Sequence, residues 1–134
     1  MLVYVDTSAL IALASSSDKN HATALASLRK ALANGTRFIV GRPVLIEYLD
    51  GVTKRVSKTE AVHQLRLLES SEAMRVESDV EEDHRLARDL FLRYDDHAID
   101  RTDSLSFATM ARLGLKDVFT FDRDFAVHGL TCRP

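Results

Sequence analysis

LVYVDTSAL, residues 2–10, decides the fold class. Leu2 to Val5 is an apolar, partly β-branched run, which favours a short buried strand. It stops at Asp6-Thr7-Ser8, side chains of the kind that accept hydrogen bonds from the first amides of a helix. Ser8 to Ala14 then reads as a short apolar helix, ended by the polar stretch Ser15-Ser16-Ser17-Asp18. Strand, turn and helix in so few residues is how an α/β unit begins. A second helix is predicted from about Asn20 to Ala33, because Ala24, Leu25, Leu28 and Leu32 form a stripe at helical spacing and Asn34-Gly35 supplies the stop. Arg37 to Val40 is the next strand.

Beyond it, Pro43 suits the first turn of a helix through VLIEYLDGV, which Gly51 weakens without ending. Thr59 to Leu68 is helical by the spacing of Val62, Leu65 and Leu68, and Ala73 to Val76 is a strand. Asp79 with Glu82 has the form of a capping box opening a helix that reaches about Tyr94. After a polar loop from Asp95 to Arg101, Thr102 can cap a helix carrying Leu105, Phe107, Met110 and Leu113, stopped by Gly114. A last strand, Val118 to Phe121, ends in Asp122-Arg123-Asp124. Short strands alternating with helices predict an α/β fold with a largely parallel sheet and right-handed crossovers. There are no repeats, low-complexity tracts or linkers, so residues 1–134 are expected to form a single domain.

With 46% hydrophobic residues the chain can build a core without disulfides. Cys132 is its only cysteine, which excludes an intramolecular disulfide and Cys-based zinc motifs and suits a reducing, cytoplasmic setting. The start has no basic segment ahead of an apolar one, and no apolar run approaches membrane-spanning length; a soluble protein without a signal peptide is expected. The formal net charge of -2 gives no support by itself for a nucleic-acid partner. Basic residues concentrate locally at Lys54, Arg55 and Lys58, which a solvated helix end explains equally well.

In open parallel sheets, ligands gather beyond the carboxyl ends of the strands. Asp6 follows the first strand directly and Asp122 ends the last, while Glu47 and Asp103 lie early in helices whose N-termini can face the same edge. Each has a plainer reading: Asp6 and Asp103 as helix-start acids, Asp122 and Asp124 as a polar turn, Glu47 as the wet strip of an otherwise apolar helix. A buried Glu47 would instead need a partner. Carboxylates converging on one site would raise each other's pKa unless a cation held them ionised. Oxygen ligands suit magnesium or manganese, and the five histidines (His21, His63, His84, His97, His128) never fall at a metal-binding spacing. Such a site is suited to phosphodiester hydrolysis, with one carboxylate off the metal as general base. Which carboxylate, and whether one metal or two, stay open.

VYVDTSAL, the Glu47 helix, TDSLSFATMARLG and the closing FTFDRDF followed by Gly129 resemble the PIN-domain nucleases, and within them the toxin half of VapBC-type toxin–antitoxin pairs. The resemblance spans nearly the whole chain. It implies a three-layer α/β/α sandwich with a parallel sheet, endoribonuclease activity dependent on Mg2+ or Mn2+, inhibition by a small VapB-like antitoxin, and frequent dimerisation. The family's acid positions fall on Asp6, Glu47, Asp103 and Asp122, with Asp124 as a possible additional ligand, since members differ in which acid of the closing turn approaches the metal. Thr7 or Ser8 is similar to the hydroxyl that orients the first aspartate, with Thr102 or Thr120 in a similar role. Arg42, Lys54, Arg55 and Arg123 are the candidates for RNA backbone contacts outside the acidic pocket. A PIN domain in RNA processing, or one that only binds, is the closest rival. A phosphoacceptor receiver domain would want an acidic pair after the first strand, where Asp6 stands alone, and a lysine after the last, which Lys116 precedes. A haloacid-dehalogenase-type phosphatase would want an aspartate where Ser8 stands.

Overall fold

Five strands form one wholly parallel sheet in the computed structural model, which describes residues 1–134. They are β1 (Leu2–Val5), β2 (Arg37–Gly41), β3 (Met74–Glu77), β4 (Asp117–Phe119) and β5 (Thr131–Arg133), in the order β3-β2-β1-β4-β5. The helices are α1 (Thr7–Ala14), α2 (His21–Ala33), α3 (Arg42–Arg55), α4 (Lys58–Ser70), α5 (Glu81–Arg93), α6 (Arg101–Leu113) and α7 (Asp124–Val127). The arrangement is the expected three-layer α/β/α sandwich. The chain builds from β1 to β2 and β3, then returns through α5 and α6 to lay β4 and β5 on the other side of β1. The order therefore reverses between β1 and β4, where such a sheet opens a crevice at its carboxyl edge.

The central strands are covered on both faces, which is why they read as continuous apolar runs rather than alternating ones. Val3, Tyr4 and Val5 pair with Phe38, Ile39 and Val40, and Tyr4 also lies opposite Val118. All of these are buried within one cluster of 20 core residues. At the end of β2, a Cβ on Gly41 would collide with the hydroxyl of Tyr4, which is 1% exposed and bonds Ser106 Oγ at 3.1 Å. The ring has nowhere to retreat. Gly41→Ala is therefore expected to lower stability by about 1–3 kcal/mol, read as a fall in the urea midpoint; an unchanged midpoint would refute this packing account.

Four local expectations are corrected. The α5 start does not use Asp79 and Glu82: the Val80 amide donates to Asp83 Oδ2 at 3.1 Å, and Asp79 bonds the His84 ring at 2.6 Å. The cap of α6 is Asp100, not Thr102; Asp100 Oδ1 accepts the Asp103 amide at 2.9 Å while Asp103 Oδ2 accepts the Asp100 amide at 3.3 Å. Strand β4 stops at Phe119, two residues early, because the Phe121 amide turns to Ser8 Oγ at 3.0 Å. Finally, α7 and β5 were not foreseen; Thr131 and Arg133 are exposed, so β5 leaves no apolar run to read. Gly114 does end α6, at φ 69°.

On α5 and α6, Asp83 is 2% exposed yet charged. It accepts from Arg112 Nε at 2.9 Å, Arg112 Nη2 at 3.0 Å and Thr109 Oγ1 at 3.1 Å. No helix is long and apolar enough to cross a membrane.

Candidate active site

Asp6 sits one residue past β1, 6% exposed, with its amide bonded to the Phe119 carbonyl at 3.1 Å. Its Oδ2 accepts from Ser8 Oγ at 2.9 Å, Thr120 Oγ1 at 3.0 Å and the Ser8 amide at 3.4 Å. The same two hydroxyls accept main-chain donors in turn. The Phe121 amide bonds Ser8 Oγ and the Asp122 amide bonds Thr120 Oγ1, both at 3.0 Å. Two hydroxyls thus tie the turn after β4 to the carboxylate after β1. Asp122 Oδ1 then accepts the Asp124 amide at 2.9 Å and starts α7, so Asp122 and Asp124 are presented from one rigid turn.

From the other side comes the first turn of α6. Carboxylate oxygens of Asp103, Asp122 and Asp124 lie within 4.8 Å of one another. Burial, then the charges of Asp100 and Asp6, push Asp103 up to about 8, against the pull of the Asp100 amide; Asp122 adds to the rise. Burial raises Asp6 too, in spite of its hydroxyl and amide donors. Asp124 is raised by burial and by Asp122, with His97 opposing. Without a counter-charge Asp103 keeps its proton at neutral pH. The residues fit a hard divalent cation: the donors are anionic oxygens only, and opposed oxygens around magnesium stand about 4 Å apart, twice its bond length.

The remaining expected residues are placed as follows. Glu47 stands exposed on α3, outside the group of three, so it takes the solvent-facing strip rather than a buried, partnered position. It lines a groove of about 600 Å³ between α1, α3 and α4, together with Thr7, Ile11, Tyr48, Val52 and Arg55. Ser8, not Thr7, orients Asp6; Thr7 Oγ1 is buried without a partner. Thr120 serves the cluster and Thr102 does not bond to it. Arg42, Lys54, Arg55 and Arg123 are all exposed, Arg123 between the two acids of the closing turn. Asp100 was missed; its spacing of three from Asp103, the signature of a capping box, is the signal that reveals it. Four histidines are satisfied by neighbours: His21 by the Ala12 carbonyl, His84 by Asp79, His97 by Asp96 and His128 by Tyr94.

The family model for the PIN domain matches residues 3–129. No curated protein matches the chain. Among solved structures it is similar to Mycobacterium tuberculosis VapC20, a sarcin–ricin loop cleaving toxin, at 26% identity and a TM-score of 0.83, covering 96% of each chain. It also shares its fold with VapBC2 from Rickettsia felis, solved with a DNA fragment from its promoter, at 15% identity, TM-score 0.72 and coverage of 99% and 98%. FitAcB from Neisseria gonorrhoeae is alike in fold at 16% identity, TM-score 0.71 and coverage of 100% and 97%.

Proposed function

The chain belongs to the PIN-domain family, and from that premise we propose that it is a metal-dependent endoribonuclease, one catalytic domain over residues 1–134, acting in the cytoplasm as the toxin of a toxin–antitoxin pair. The observation that carries this reading is the trio Asp103, Asp122 and Asp124, converging within 4.8 Å beside Asp6 at the sheet's switch point. The rival folds require residues that this chain lacks: an acidic pair after the first strand for a receiver domain, and an aspartate where Ser8 stands for the phosphatase.

Asp103, Asp122 and Asp124 would hold Mg2+ or Mn2+, with Asp6 completing the acidic wall. The ion neutralises charge on the phosphodiester and acidifies water when bound. Asp6 is held in orientation by Ser8 and Thr120, and the same hydroxyls fix the turn that presents Asp122 and Asp124. Glu47 completes the catalytic set from the groove side, where an incoming strand meets it before the buried acids. Arg42, Lys54, Arg55 and Arg123 contact the RNA backbone outside the pocket, so affinity falls with salt. The 600 Å³ groove, apolar along Ile11, Tyr48 and Val52 and open toward Thr7 and Glu47, suits a small VapB-like antitoxin segment that covers it and sets a basic side chain among the acids. A homodimer is the expected assembly.

Purified protein is to be incubated with labelled transfer and ribosomal RNA, a sarcin–ricin loop oligonucleotide among them, with magnesium, with manganese and with chelator. Cleavage that requires the ion supports the reading. Cleavage indifferent to chelator, or no cleavage of any RNA, would overturn it. Thr120→Val keeps the shape and removes the hydroxyl that bridges Asp6 to the Asp122 amide. It is expected to lower cleavage about 10- to 100-fold, as loss of an outer partner of a metal site does. Activity within twofold of wild type would remove Thr120 from the machinery.

A further inference from the structure

We propose that Phe91 and Arg101 form a nucleotide subsite at the N-terminus of α6, the helix that carries Asp103, stacking one unpaired base of a single-stranded RNA and contacting the phosphate next to it. The proposal rests on the ribonuclease reading and deepens it. The guanidinium carbon of Arg101 lies 5.7 Å from the centroid of the Phe91 ring. Phe91 is 40% exposed and Arg101 is exposed. Arg101 directly follows Asp100 and precedes Asp103 by two, yet it pairs with neither; those two acids satisfy each other's amides in the α6 cap. Its charge is therefore uncompensated by the protein. An unpaired guanidinium lying on an aromatic face is suited to a phosphate on its edge and a base on its plane.

Position favours RNA over a protein partner. Helix α5 ends at Arg93 and α6 begins at Arg101 against it, so Phe91 stands beside the first turn of α6. That turn also carries Asp103. Residues two apart on a helix project to different faces, so a strand whose scissile phosphate reaches Asp103 meets Arg101 by rounding the N-terminus of α6 with a neighbouring nucleotide. A purely apolar protein contact would leave Arg101 buried without a counter-ion. Only a splayed base exposes a face to stack, which makes the ligand single-stranded.

The test uses Phe91→Ala, Phe91→Tyr and Arg101→Gln in the full chain. Binding of a labelled single-stranded RNA is read by fluorescence anisotropy across a salt series in chelator, which withholds the ion that cleavage requires; cleavage is read with the ion present as kcat and KM, and oligomeric state by sedimentation. Phe91→Ala is expected to weaken binding about tenfold or more and to raise KM by the same factor with kcat unchanged, while Phe91→Tyr binds like wild type. Arg101→Gln is expected to make the slope of log affinity against log salt shallower by about 0.7, the value of one single-strand phosphate contact. Unaltered affinity in both Phe91→Ala and Arg101→Gln would overturn the proposal, as would a dimer that dissociates on Phe91→Ala, which would place the ring in a subunit interface. Wild-type cleavage separates the two levels. If wild type cleaves and these variants bind equally well, the subsite fails alone; if wild type fails to cleave RNA, the nuclease reading fails.

Discussion

Asp103→Asn is expected to leave a folded protein whose RNA cleavage is lower by about 10²- to 10⁴-fold, the range that loss of a positioned proton-transfer or charge-stabilising group costs. Asparagine keeps the oxygen that accepts the Asp100 amide, so the α6 cap survives. What disappears is a charge. In the metal-free protein Asp103 has a pKa of about 8, against about 3.9 in an unfolded chain. Folding therefore takes up a proton between those values, and stability falls as pH rises through them. Asp6 and Asp124 are raised as well and act with the same sign. His128 acts oppositely: burial, and secondarily Arg93, lowers its pKa, so the stability it contributes is lost as pH falls below about 6.5. The interval from about pH 7 to 8 thus isolates the carboxylates, because Cys132, whose thiol pKa burial raises, begins to contribute with the same sign only above it. Across it the Tm of metal-free wild type is expected to fall, and that of Asp103→Asn, which lacks the acid raised to about 8, to fall less. Magnesium or manganese should raise the wild-type Tm most at the upper end and the variant's little. A wild-type Tm independent of both pH and ion would show that these acids do not share a site.

The fold was legible where burial acts on both faces of an element. Val3 to Val5 and Phe38 to Val40 must be apolar because helices cover both sides of the sheet, and that demand is written in consecutive residues. β5 escaped notice because an edge strand of three residues with exposed ends makes no such demand. Caps misled for a different reason. Asp, Ser and Thr all accept a helix amide, and which one does so depends on where the preceding loop is anchored. Ile99, 3% exposed, fixes the loop so that Asp100 reaches the first amides ahead of Thr102. At the site, Asp6, Asp103, Asp122 and Asp124 were recognisable as strand-end and helix-start acids. The choice between Thr7 and Ser8, and the exposure of Glu47, depend on side-chain direction, which the spacing of residues leaves undetermined.

The scaffold acid Asp83 provides the contrast that explains the site acids. Arg112→Ala is expected to cost about 3–5 kcal/mol of stability, the cost of breaking a buried pair from one side. Asp83 would keep its charge in a dry position with only Thr109 and the Val80 amide to satisfy it. Asp83→Ala is expected to cost less, because Arg112 is 25% exposed and retains Glu77 at 3.3 Å and the Ser78 carbonyl at 3.1 Å. Equal losses in the two variants would refute this asymmetry. In wild type, burial raises the Asp83 pKa, but the Arg112 hydrogen bonds, the Val80 amide and Thr109 more than offset it and hold it low. The pair therefore stabilises the fold above about pH 4 and loses its contribution as pH falls further. In Arg112→Ala the deficit relative to wild type should shrink on acidification, since a protonated Asp83 no longer needs a cation. Per folded molecule, cleavage should be unchanged: Arg112 lies in the last turn of α6, and Asp103 is positioned in the first by the Asp100 cap. Two aspartates on adjoining helices thus differ in proton affinity for one physical reason. Asp83 faces an arginine supplied by the chain, whereas the charges that bear on Asp103 are those of Asp100, Asp6 and Asp122, and its missing positive partner has to come from solution.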